Sequence, residues 1–208
     1  MNERPGVFIT LEGGEGAGKS TAALRLTALL REAGQEVLAT REPGGTPGAE
    51  AIRALLLSSD TALIAMTQTM LHFAARADHV EQVIRPALAR GAVVICDRYS
   101  DSTMAYQAYG MGVDISAVAA LTRLIGLTPD ITFVLEVPEA ISKARLKSRG
   151  AASDRYEQMG REVMDRIAQG FRAIAAAEPA RCVVLDGTEP VETVVGRMRD
   201  IILERTGR

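Results

Sequence analysis

The stretch Gly13-Gly14-Glu15-Gly16-Ala17-Gly18-Lys19-Ser20, followed by Thr21, constrains this chain more than any other. It satisfies G-x-x-x-x-G-K-[ST] and stands between the apolar run Val7-Phe8-Ile9-Thr10-Leu11 and a helical pattern carried by Leu24, Leu26, Leu29 and Leu30. A short buried strand therefore feeds a glycine-rich loop whose backbone N–H groups, with the N-terminus of the following helix, cradle phosphate. Glycine suits that loop because the backbone must wrap an anion closely and a Cβ would block the approach or forbid the dihedral. Lys19 is expected to reach the terminal phosphates, and Ser20 to hold Mg²⁺.

The rest of the chain continues that alternation of strand and helix. Val37 to Thr40, Ala92 to Cys96, Ile131 to Val137 and Arg181 to Leu185 are short, apolar and rich in β-branched residues, which predicts strands buried on both faces. Amphipathic stretches separate them, so parallel strands joined by right-handed crossovers follow. Ligands in such sheets lie at the carboxyl ends of the strands, which sets Gly13 to Ser20, the turn from Arg41 and Asp97-Arg98 on one rim. At 208 residues the chain is read as one α/β domain, 1–208, long enough to cover both faces of a sheet with helices.

A formal charge of −2 and a pI near 5.8 argue against bulk electrostatic binding of a nucleic-acid polymer, and small nucleotides are the expected partners. Cys96 and Cys182 each lie in an apolar strand-like run with no CxxC or histidine at ligand spacing, so buried thiols in a reducing compartment are expected. Residues 1–6 show no signal-peptide pattern, and no apolar run approaches the ~18 residues of a membrane span. The expectation is a cytoplasmic enzyme without membrane attachment.

Further motifs cluster after the predicted strands. Arg41-Glu42-Pro43-Gly44-Gly45-Thr46 is a rigid turn that aims Arg41 and Glu42 at the rim. On a helical pattern from about Ala62 to Arg90, interrupted by Pro86, Phe73 and Arg76 are three apart and share a face. There a ring can stack on a base and a guanidinium can fork onto a phosphate. Asp97 resembles a carboxylate that anchors Mg²⁺ through water or Ser20, with Arg98 beside it for a second anionic group. Ser102-Thr103-Met104-Ala105-Tyr106-Gln107 opens a helix whose polar groups either read a base edge or, at Ser100 to Ser102, cap it. From Lys143 to Arg172 eight basic residues stand against four acidic ones, and Gly150-Ala151-Ala152-Ser153 predicts a mobile loop.

With these motifs in order, the chain resembles the bacterial thymidylate kinases over essentially its whole length. The resemblance rests on Glu12 to Thr21, on Arg41 to Thr46, on Asp97-Arg98-Tyr99 through Gln107, and on the spacing from Arg149 to Asp154-Arg155-Tyr156-Glu157. It implies a five-stranded parallel sheet flanked by helices on both faces, with a short mobile lid over about 144–157. It further implies ATP and Mg²⁺, phosphoryl transfer to dTMP in dTTP synthesis, and a homodimer. By position, Gly13 through Thr21 serve ATP, and Glu15 faces the deoxyribose 3′-hydroxyl. Arg41 or Glu42 lies near the acceptor phosphate and metal, and Arg98 binds the dTMP phosphate. Arg76 and Thr103 contact thymine, Tyr106 packs beside C2′ where a 2′-hydroxyl would collide, and Gln107 lies close to the same pocket.

Two departures from the family pattern carry consequences. The stacking aromatic usually stands four residues before the arginine, a position held here by His72, while Phe73 is three before it, so either ring is a candidate. Gly16 stands where some members carry a catalytic arginine, so the cation must come from the lid: Arg149 is the expected principal catalytic arginine, with Arg145 and Arg155 behind it. Two other phosphate-loop classes compete. A GTPase or ATPase switch needs N-K-x-D or a water-orienting glutamine, and the only asparagine is Asn2. A deoxynucleoside kinase needs a carboxylate base at an acceptor hydroxyl in place of Arg98 and Arg76 around a phosphate.

Overall fold

The computed structural model describes residues 6–149, 155–156 and 159–207, with Arg149 as backbone only. The strands are β1 (Val7–Glu12), β2 (Val37–Arg41), β3 (Val93–Asp97), β4 (Ile131–Glu136) and β5 (Cys182–Asp186). They form one parallel sheet in the order β2-β3-β1-β4-β5. The helices are α1 (Lys19–Glu32), α2 (Pro47–Leu57), α3 (Ala65–His79), α4 (Arg85–Ala89), α5 (Ser100–Thr103), α6 (Ile115–Ile125), α7 (Glu139–Arg149), α8 (Arg161–Ala177) and α9 (Val191–Thr206). No described helix is long and apolar enough to cross a membrane.

Successive side chains of a strand point to opposite faces, and the sheet uses that period to build two cores. Ile9, Leu11, Ile95 and Phe133 face one side, with Leu26 of α1 and Met198 of α9, while Phe8, Val94 and Cys96 face the other with Ile84 and Tyr99. The central strands are buried on both faces, as their sequences predict. β2 and β5 depart from that expectation and alternate with exposed positions, because the strand order puts them at the sheet edges, where each has one neighbour.

The register aligns the strand ends. Leu11 lies opposite Asp97, and Asp97 opposite Arg41, so the phosphate loop, Asp97-Arg98 and Arg41-Glu42 emerge on one rim. Gly13 turns the chain out of β1 at φ 130°, and a Cβ there would fall on the Leu135 carbonyl oxygen of β4. The helical stretch around Pro86 is continuous, but α3 passes through a π-helical turn at Val80–Ile84 that sets Pro86 in the first turn of α4. A second π-helical segment, Met104–Gly110, continues α5 and carries Tyr106 and Gln107. Part of the expected lid, residues 150–154 and Glu157, lies outside the described residues.

Candidate active site

A cavity of about 710 Å³ opens along the rim, with the phosphate loop at one end. Lys19 is buried there and its Nζ donates to the Gly14 carbonyl at 2.7 Å, an internal stand-in for an anionic acceptor. Burial, then the Arg98 charge, lowers its amine to about 8, and Glu15, Asp97 and Glu12 oppose the shift. Ser20 Oγ donates to Asp97 Oδ2 at 2.5 Å, bringing the two expected metal residues together across 77 positions of sequence. A hydroxyl and a carboxylate oxygen are hard donors of the kind Mg²⁺ takes. Gly16, Ala17, Gly18 and Thr21 line the same end.

Arg98 marks the middle of the cavity. It is the one described non-glycine residue with positive φ, 70°, which turns its side chain back over the phosphate loop. Its guanidinium donates to the Gly13 carbonyl and Ser102 Oγ, both at 3.0 Å, to Glu15 Oε1 at 2.5 Å and to the Tyr106 hydroxyl at 3.2 Å. Tyr106 in turn donates to Glu15 Oε1 at 2.9 Å. Burial works against the Arg98 charge, but Glu15, Tyr106, Asp97 and Glu12 outweigh it and hold the group firmly protonated. Burial pushes the Tyr106 phenol well above its ordinary range, so it stays a neutral donor.

At the far end Arg76, buried on α3, donates to Glu42 Oε2 at 2.7 Å and to Thr103 Oγ1 at 3.1 Å. The other Glu42 oxygen pairs with His79 Nδ1 at 3.0 Å. Both Glu42 oxygens thus hold Arg76 and His79, and Glu42 lines the cavity. Among the described residues, Arg76 Nη1 and both amide atoms of Gln107 are buried and meet no hydrogen-bond partner. The structure also separates the two candidate stacking rings. His72 lines the cavity, whereas Phe73 is buried with Ala108, Val113 and Val118 on the opposite side of α3, a correction to the expected base contact. Neighbouring helical positions are about 100° apart, so only one of the two rings can face the cavity.

The cations expected near the transferring phosphate are distributed unequally. Arg145 Nη1 reaches the Gly16 and Ala17 carbonyls at 3.4 and 3.5 Å, and its Nη2 donates to the Gly187 carbonyl at 2.9 Å. Arg155 is not beside the phosphate loop: its guanidinium is held by the Ser58 and Thr61 carbonyls, between α2 and α3. The Arg149 side chain lies outside the described residues. Arg41 lines the rim, half exposed and paired with Glu50 at 2.9 Å.

Several lining residues were assigned no role in the sequence. Arg53 and Leu57 come from α2, Tyr156, quoted only within the lid motif, follows the glycine-alanine loop, and Gly187, Val191 and Val194 come from the end of β5 and the start of α9. Tyr156 donates to Gln68 Oε1 at 3.2 Å and its hydroxyl meets His72 Nε2 at 2.9 Å. Its ring stands edge-on to Tyr106 at 5.7 Å. Glu12 was quoted only as part of a motif, yet it is fully buried beneath the site, accepting from the Tyr99 N–H at 2.7 Å and the Ser102 hydroxyl at 2.5 Å. Its place as the last residue of β1, a carboxylate closing an apolar run, was the available signal.

Comparison with known proteins identifies the family. A family model described as thymidylate kinase matches residues 11–198. The thymidylate kinase of Gluconobacter oxydans is 47% identical over 203 residues, covering 96% of this chain and 95% of the relative. That of Caulobacter vibrioides is 46% identical over 205 residues, covering 97% and 98%. The crystal structure of thymidylate kinase from Ehrlichia chaffeensis superposes with a TM-score of 0.78 at 33% identity, covering 95% of this chain and 98% of that one. With the family model spanning most of its length and relatives near half identical along it, the chain belongs to the thymidylate kinase family.

Proposed function

We infer that this chain transfers the γ-phosphoryl group of ATP to dTMP, giving ADP and dTDP. The observation that carries this reading is the two-ended cavity, with a phosphate loop at one end and unsatisfied hydrogen-bonding groups at the other. An unpaired buried polar atom costs on the order of 1–3 kcal/mol, so Arg76 Nη1 and the Gln107 amide favour a ligand that completes them. Thymine, with carbonyl acceptors flanking one N–H donor, supplies both kinds of partner. His72 covers the base, held neutral because burial and the charges of Arg76, Arg98 and Arg53 lower its pKa to about 3.

Arg98 holds the dTMP phosphate between base and phosphate loop, exchanging its bond to Glu15 for one to the substrate. Glu15, relieved of Arg98, takes the 3′-hydroxyl, and Tyr106 closes the space beside C2′. A dTMP phosphate oxygen, already anionic, attacks the γ-phosphorus as the bond to the β,γ-bridging oxygen breaks, so no side-chain base is required. Lys19 leaves the Gly14 carbonyl for the terminal phosphates. Ser20 and Asp97 are the residues that would hold Mg²⁺, whose chemistry is to neutralise charge on the β- and γ-phosphates. Gly16 offers no cation, and we assign that task to Arg145 beside it and to Arg149, four positions further along α7.

The same reading includes a cytoplasmic homodimer, supported by an apolar face on α3 and α6 with exposed Met66, Met70 and Leu124. Assaying dTMP, thymidine and GTP side by side with ATP and Mg²⁺ tests the substrate. Phosphorylation of dTMP alone is expected, and turnover of thymidine or of GTP in preference to dTMP overturns the assignment.

A further inference from the structure

We propose that Glu12 is a positioning residue for acceptor binding: it orients Ser102 so that Ser102 presents a lone pair to Arg98. The proposal rests on the reading of Arg98 as the dTMP phosphate site. Glu12 is fully buried at the junction of β1 and the phosphate loop, and both its oxygens are used on the segment that carries Arg98. One oxygen accepts the N–H of Tyr99, the residue after Arg98, and so ties down a backbone that holds Arg98 at φ 70°. The other accepts the single hydrogen of the Ser102 hydroxyl.

A serine hydroxyl has one hydrogen and two lone pairs. With its hydrogen committed to Glu12, Ser102 can only accept from Arg98 Nη1, which lies 3.0 Å away. The same guanidinium nitrogen is held at 3.0 Å by the carbonyl of Gly13, the residue next to Glu12, so one short segment sets Arg98 from two directions. Glu12 does not line the cavity, whereas Ser102 and Arg98 do, so it acts through them. Burial first, and then the Asp101 charge, pushes the Glu12 carboxyl up to about 7, and the bonds from Ser102 and Tyr99 with the charge of Arg98 oppose that cost. A mere filler at this place would be apolar, since that avoids the cost of burying a carboxyl.

In Glu12→Gln the amide has one acceptor and one donor end. The fixed Tyr99 N–H retains the acceptor, and the amide NH₂ then competes with Arg98 for the Ser102 oxygen. The readout is the ratio of dTMP to thymidine affinity, measured by calorimetry on the full-length protein, because only dTMP carries the phosphate that Arg98 grips. Expected for Glu12→Gln is a loss of about ten-fold in dTMP affinity with thymidine affinity and ATP KM unchanged. Ser102→Ala should show the same pattern, Ser102→Thr should restore it, and the double variant Glu12→Gln/Ser102→Ala should be no worse than the weaker single one.

An Arg98→Ala control separates the two layers. If it leaves the dTMP to thymidine ratio intact, the phosphate assignment itself falls. If it collapses the ratio while Glu12→Gln does not, Glu12 has no positioning role. Equal loss of dTMP and thymidine binding in Glu12→Gln, or additive losses in the double variant, also overturns the proposal.

Discussion

His72 shows how far one side chain's surroundings set its chemistry. An imidazole in water titrates near 6.5, but burial and three neighbouring arginines bring this one to about 3, so it stays neutral wherever the enzyme works. The unfolded chain takes up a proton below the ordinary value and the folded one does not. The resulting stability is present above pH 6.5 and is lost as pH falls toward 3. His72→Phe retains an aromatic ring at the cavity wall and removes that contribution. Comparing urea midpoints at pH 7.5 and pH 5.0, we expect the wild type to lose about 1–2 kcal/mol more than the variant, a figure already discounted for partial exposure. Equal losses would mean that His72 is not held neutral. The choice between His72 and Phe73 was not legible in the sequence, because both are aromatic and adjacent, and only the packing of α6 against α3 decides which one turns inward.

At the scale of elements, contiguous segments were legible and the meeting points between them were not. The phosphate loop and the three motif turns each carry their signal within ten or so residues, and parallel strands deliver them to one rim whatever the details. Arg53, Leu57 and Tyr156 reach the cavity only through the angles at which α2 and the chain beyond α7 lie on the sheet, which no local pattern encodes. The approach of α7 is itself informative. Ser142 Oγ donates to the Glu15 carbonyl at 2.6 Å, and a Cβ on Gly16 would lie 2.7 Å from the Ser142 carbonyl oxygen. Gly16 also has φ 68°, so an arginine there would meet both a steric and a dihedral penalty. The loop position that cannot hold an arginine is pressed against the helix that carries Arg145 and Arg149. Arg149→Ala is therefore expected to lower kcat by ~10³-fold with little change in the KM for dTMP, since its contact forms as charge develops on the transferring group. Steady-state kinetics decide: a change confined to the KM for ATP would make Arg149 a ground-state binding residue, and no change at all a surface one.

For the molecule as a whole, the acceptor end of the site is built on a helix that also bears exposed apolar side chains. α3 presents His72 and Arg76 to the cavity, while Met66 and Met70, 39% and 54% exposed, face outward. Next to them Leu124 of α6 is 81% exposed at the lip of a shallow depression formed with Phe73, Ala74, Ala77 and Leu121. Two copies joined through this face would bury the apolar surface and hold α3 from both sides, so base reading and dimerisation would be linked through one rigid element. Stable dimers bury roughly 1,200–2,000 Å², and a charge placed at the centre of such a patch is desolvated without a partner. Leu124→Lys, at a position too exposed to matter for the monomer's core, should sediment as a monomer at micromolar concentration where the unaltered protein sediments as a dimer. Because α3 then loses that added support, the KM for dTMP should rise several-fold while the KM for ATP, which the proposed reading sets at the phosphate loop, stays put. A Leu124→Lys protein that remains dimeric moves the interface elsewhere, and an unaltered protein that is monomeric at that concentration removes the homodimer.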